Sequence, residues 1–125
     1  MLIGILGLNT LFEIAVAIAF SFFPERFFPV ESLSPLAVAL ARVVGAGALA
    51  IGSLSLFFVI KQTSVKSKEI LFPALSTLTI FHFSIAIAQW INYSNQAAPL
   101  AIGIIHSLFA IAFIYFSIRT YSLNS

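Results

Sequence analysis

Long apolar blocks alternate with short polar breaks along this chain. Four blocks stand out, at about 3–23, 36–60, 71–91 and 100–118. A helix needs roughly 20 apolar residues to cross the hydrocarbon of a bilayer, and each block supplies them. Closed barrels show short alternating segments instead of continuous runs, so the blocks predict helices. The expected fold is an all-α, four-transmembrane-helix bundle, antiparallel and up-down-up-down, in a single domain over residues 1–125.

The breaks are well marked. PERFFPVESLSP (24–35) holds three prolines, and Ser34-Pro35 reads as an N-cap followed by proline at the first helical position. KQTSVKSKE (61–69) is the one truly hydrophilic loop, and NYSNQAAP (92–99) is polar but uncharged, with Pro99 placed to open the last helix. The first block has no Lys or Arg before it and is too long for a signal-peptide core, although AVA and AIA resemble cleavage sites. It is read as a span. Helices one and two do not repeat in helices three and four, so no inverted-repeat transporter core is visible.

Composition sharpens the choice of solvent. The 125 residues are 61% hydrophobic and 8% charged, with mean hydropathy +1.11. A soluble domain carries about 25% charged residues, so this surface suits lipid. Cysteine is absent, which removes disulfides and thiolate chemistry. The net charge is +2 with no basic cluster beyond one loop, which leaves nucleic acid no electrostatic footprint.

Charge also sets the expected topology. Lys61, Lys66 and Lys68 lie in the second loop and Arg119 follows the last span, whereas Arg26 in the first loop is offset by Glu25 and Glu31. The positive-inside rule places the second loop and both termini in the cytoplasm, in a bacterial inner membrane or its equivalent. Phe27, Phe28, Trp90, Tyr93, Tyr115 and Tyr121 lie near span ends, where aromatic belts form.

Each span carries one ionisable group: Glu13, Arg42, His82 and His106. Counted from the outer end of each span, Glu13 and His82 lie roughly 15 Å deep, Arg42 and His106 roughly 10 Å, and Gln89 about 3–5 Å. A charge at the centre of a lipid-facing helix costs roughly 2.5–3.5 kcal/mol. These groups are therefore expected to converge inside the bundle. Glu13 should pair with Arg42 as carboxylate and guanidinium, and Asn9, one turn before Glu13, should share the network. His82, Gln89 and His106 would complete a polar core, with Trp90 as part of its wall. Ala41, Gly45, Ala48, Gly52 and Ser55 form a small-residue seam on helix two, and Gly103, Ser107 and Ala110 a shorter one on helix four. Such seams let neighbouring backbones approach.

Several functions compete for this polar core. It could hold a lipophilic ligand through His82, His106, Gln89, Trp90 and Asn9. Two imidazoles on different helices could ligate one haem iron or serve a quinone. No metal cluster of three ligands is visible in the spacing, and no particular cofactor follows from it. Catalysis has little support, for no nucleophile–base spacing or phosphate loop is present. Glu13 in the first of four short helices resembles the essential glutamate of small multidrug resistance transporters, which would imply proton-coupled transport. The residues after it, Ile14 to Ala19, depart from that family's pattern, and Arg42 would neutralise the carboxylate.

A broader resemblance covers the whole chain. A helix-one glutamate is followed by a proline-and-phenylalanine turn (FSFFPERFFP, 20–29). An Arg-x-x-Gly (Arg42, Gly45) then opens a small-residue run, and two polar-bearing helices complete the layout. This resembles the small bacterial four-helix membrane proteins of the DoxX-like type. The resemblance implies an accessory subunit, some relatives being linked to quinone redox systems. It implies partners in a larger membrane complex or a homo-oligomer, and it assigns no catalytic residue.

Overall fold

The computed structural model describes residues 1–26, 33–61, 68–95 and 99–122. Its long elements are four helices: α1 (Leu2–Phe22), α2 (Pro35–Lys61), α3 (Lys68–Ser94) and α4 (Leu100–Ser122). A single 3-10 turn, Pro24–Arg26, follows α1. The fold is all-α, and all four helices are long and apolar enough to cross a membrane. Phe27, Phe28, Glu31 and Lys66, which entered the reading of belt and topology, lie outside the described residues, as does the side chain of Lys68.

Local chemistry explains the helix ends. The Ser34 hydroxyl accepts a hydrogen bond from the Ala37 amide at 3.2 Å, an N-cap that satisfies one of the free donors at the start of α2. Pro35 follows it, where a missing N–H removes no helical bond. Pro99 directly precedes α4, and its carbonyl accepts from the Ile102 amide. Pro73 lies inside α3; its missing N–H frees the Glu69 carbonyl in the first turn only, where disruption is least.

The helices form two compact units, α1 with α2 and α3 with α4. Within each unit the helices run antiparallel. Asn9 meets Ser55, Glu13 lies against Gly52, and Ala17 and Ser21 lie against Gly45. In the second unit His82 meets His106, Trp90 lies against Gly103, and Phe72 packs on Tyr121. Large apolar side chains cover the outward faces: Leu8, Leu11 and Ile18 on α1, Leu40 and Val43 on α2, Ile80 and Ile87 on α3, Leu108, Ile111 and Ile118 on α4 are all exposed. Exposed apolar surface on this scale is stable only in hydrocarbon. The chain is an integral membrane protein.

The seam on α2 sets the separation of the first pair of helices. Ala41, Gly45, Ala48, Gly52 and Ser55 are all buried. A Cβ on Gly45 would stand 2.7 Å from the Ser21 Oγ and 3.1 Å from the Ala17 carbonyl oxygen, and one on Gly52 would stand 3.2 Å from both the Glu13 Cβ and the Ile14 Cγ1. At Gly47 a Cβ would meet nothing within 4 Å. Gly45→Leu and Gly52→Leu are each expected to destabilise the protein by about 1–3 kcal/mol through overpacking, with Gly47→Leu within about 0.5 kcal/mol of wild type. Unfolding in mixed detergent micelles measures the difference; equal stability of all three variants would contradict this packing.

Candidate functional site

Several polar groups inside the spans meet a partner on the adjacent helix of the same hairpin. In the first hairpin the Asn9 amide nitrogen donates to the Ser55 Oγ at 2.8 Å, with both residues wholly buried. Glu13 follows Asn9 by one turn, is 1% exposed, and rests against the bare backbone of Gly52. Thr10 is also buried and returns its hydroxyl proton to the Leu6 carbonyl at 2.9 Å, the usual refuge for a helix hydroxyl where no water is at hand.

Arg42 is not part of this group, which corrects the expected Glu13–Arg42 ion pair. The arginine side chain is exposed. Gly52, which faces Glu13, lies ten residues further along α2, or about 15 Å of helical rise. The same ten-residue step along α1 runs from Glu13 to Phe23, so Arg42 stands level with the end of α1. The depth reckoning failed because it counted each residue from the outer end of its own span, as though those ends were level. α1 has 21 residues and α2 has 27, so the start of α2 projects beyond its neighbour. There the arginine can extend along the apolar surface and place its guanidinium among headgroups.

The second hairpin joins the two histidines. The Nδ1 atoms of His82 and His106 are 2.9 Å apart. For two neutral imidazoles one Nδ1–H donates and the other Nδ1 accepts, so the rings hold opposite tautomers. Aromatic rings enclose the pair. Phe81 meets His82 edge-on at 5.2 Å, Phe113 stacks on it at 5.5 Å, and Phe109 lies 5.0 Å away. An imidazole nitrogen binds a metal at about 2 Å, so two axial imidazoles on one iron stand about 4 Å apart. The hydrogen-bonded spacing is too short for a macrocycle between these two Nδ1 atoms.

Gln89 and Trp90 belong to a different layer. Seven residues separate His82 from Gln89, a rise of about 10 Å. The Trp90 indole N–H donates to the Ser107 Oγ at 3.1 Å, and that hydroxyl in turn donates to the Gly103 carbonyl at 2.7 Å. The indole covers Gly103, whose Cβ would stand 3.5 Å from the ring. Gln89 lies beside the same glycine, and its buried Oε1 has no hydrogen-bond partner among the described residues. Gln89 and Trp90 thus lie in a separate layer from the histidine pair.

At the opposite end of this hairpin is a groove that the sequence reading missed. It has a volume of about 420 Å³ and lies between the first half of α3 and the last half of α4. Ser76, Thr79 and Ile80 form one wall, and Ile114 and Ile118 the other. Phe72 and Tyr121, with ring centroids 5.7 Å apart, close its outer end. Ser117 lies at its floor, nine-tenths buried, and its Oγ has no hydrogen-bond partner among the described residues. The available signal was the hydroxyl spacing 76, 79 and 117 near span ends, which reads like any helix-packing serine or threonine.

No protein-family model, curated protein or solved structure matches this chain.

Two double-mutant cycles test these assignments. His82→Ala and His106→Ala are each expected to lower stability, with a coupling of about 0.6–1.7 kcal/mol between them, the range for hydrogen bonds inside membranes. Glu13→Gln and Arg42→Gln should combine additively within about 0.5 kcal/mol, as separated sites do. Coupling in the second pair and none in the first would reverse the assignment.

Proposed function

We propose that this protein is a non-enzymatic accessory module of a bacterial inner membrane that holds a lipophilic ligand in the α3–α4 groove. The groove itself is the observation that carries this reading. A volume of about 420 Å³ lies within the range of ligand sites, about 300–1,000 Å³. Its walls are isoleucine methyls and the carbon faces of Ser76 and Thr79. The Thr79 hydroxyl is already committed to the Leu75 carbonyl at 2.8 Å, so the groove presents apolar surface to its occupant. The Ser117 hydroxyl supplies the one unmet polar need. An ester or ketone carbonyl would accept its proton once the side chain turns toward the groove, which relieves a buried orphan.

An accessory role fits the rest of the chain. The intramembrane histidines, Asn9 and Trp90 are engaged with neighbouring helices, and the exposed faces are apolar. Such faces pack against other membrane helices as readily as against lipid. The positive-inside rule puts the groove end of α3 and α4, and both termini, on the cytoplasmic side. The resemblance of the layout to DoxX-like proteins is in keeping with assembly into a larger membrane complex or a homo-oligomer.

Native mass spectrometry of the protein released from detergent tests the ligand. One lipophilic mass is expected on the wild-type chain. Thr79→Phe, which fills the groove, should remove at least about nine-tenths of it, because a phenyl ring displaces much of a cavity this small. His82→Ala should leave it in place. A wild-type chain that emerges bare, or a Thr79→Phe variant that retains the mass, would overturn the proposal.

A further inference from the structure

The mouth of the groove carries charge of a particular arrangement. Glu69 is exposed and lies three residues before Phe72, on the same side of α3. No described residue pairs with it. It is about 4.5 Å further out than the Phe72–Tyr121 closure, by helical rise. Tyr121 is also exposed, so its phenol reaches the interface at the same level. Arg119 is exposed two residues before Tyr121, but two residues are a 200° turn of helix, which puts it on the far side of α4 from the groove.

The helix ends add a second polarity. At this end of the hairpin α3 begins and α4 finishes. The first amides of α3 have no helical acceptor and favour an anion, whereas the last carbonyls of α4 favour a cation. A ligand head that suits this mouth therefore has a phosphate for the start of α3 and a cation for Glu69 and the end of α4. It also has an ester carbonyl below them, at the level of Ser117, and an acyl chain along Ile80, Ile114 and Ile118.

Resting on the ligand-holding reading above, we infer that the occupant is a zwitterionic glycerophospholipid with a primary ammonium headgroup. The basic loop of the sequence would suggest an anionic lipid instead. The residue on the groove face is an acid, however, and the nearest described arginine points elsewhere. A primary ammonium has three donors for the Glu69 carboxylate and the α4 carbonyls. A choline head has none, and a glycerol head brings no cation.

The experiment offers the detergent-solubilised full chain an equimolar mixture of dioleoyl phosphatidylethanolamine, phosphatidylglycerol and phosphatidylcholine, and reads retained lipid by native mass spectrometry. One phosphatidylethanolamine should be retained about two- to fivefold over either competitor, the range an exposed ion pair supplies. Raising the salt should shrink the preference, since the mouth is open to water. Glu69→Gln should abolish the preference while retaining lipid, and Glu69→Asp should keep it. Thr79→Phe should lose all three lipids alike. Retention without headgroup preference, or with phosphatidylglycerol favoured, overturns this inference and leaves the lipophile site standing. No retained lipid, or equal retention by Thr79→Phe, overturns both.

Discussion

Hydrocarbon supplies no hydrogen-bond partner, and the placement of polar side chains in this protein follows from that. A donor or acceptor left bare in such a medium costs several kcal/mol. The chain meets the constraint in two ways. Hydroxyls on single helices return to carbonyls one turn back, as Thr10, Thr77, Thr79 and Ser107 do. Larger groups find a partner on the adjacent helix: Asn9 with Ser55, His82 with His106, Trp90 with Ser107. The second kind of solution binds helices together, so the solvent that forbids bare polar groups also selects which helix faces meet.

Close approach makes those pairings possible. A carboxamide and a hydroxyl at 2.8 Å require two backbones near each other, and Gly45 and Gly52 allow this by having no side chain to intervene. The second hairpin uses glycine once, at Gly103 under the Trp90 indole, and elsewhere fills the gap with rings. Phe81, Phe109 and Phe113 surround the imidazole pair. Aromatic faces and edges contribute modest directional attraction beyond area. One hairpin is thus set by small residues, the other by an aromatic layer.

The elements were legible in the sequence because their punctuation was strong. Ser34-Pro35, Pro99 and the lysines at 61–68 bracket the helices, and the observed ends differ from the expected spans by four residues or fewer. Which residues turn inward was legible too, since Glu13, His82 and His106 are all buried. Partner choice was not. Periodicity gives a face but no vertical register, and register depends on where two unequal helices come closest. Glu13 therefore settles beside Gly52, and Arg42, a face and about 15 Å away, serves the boundary instead. The groove escaped notice for a related reason. It arises from how Phe72 and Tyr121 meet over smaller residues, and no local pattern encodes that.

Unequal helix length has a further consequence for where chemistry can occur. Deep in each hairpin, Asn9 and His82 are tied to fixed partners, and changing those partners would expose a polar group to lipid. Near the ends that penalty fades, because headgroups and water can substitute for a lost partner. Exposed polar and charged side chains lie there: Glu69, Arg119 and Tyr121 at one end, Arg42 near another. These margins can recognise polar groups. Recognition of an amphipathic molecule suits such a design, since its tail can use the apolar wall and its head the margin. The interior ties then act as the rigid frame that keeps Phe72 and Tyr121, and the groove they close, in place.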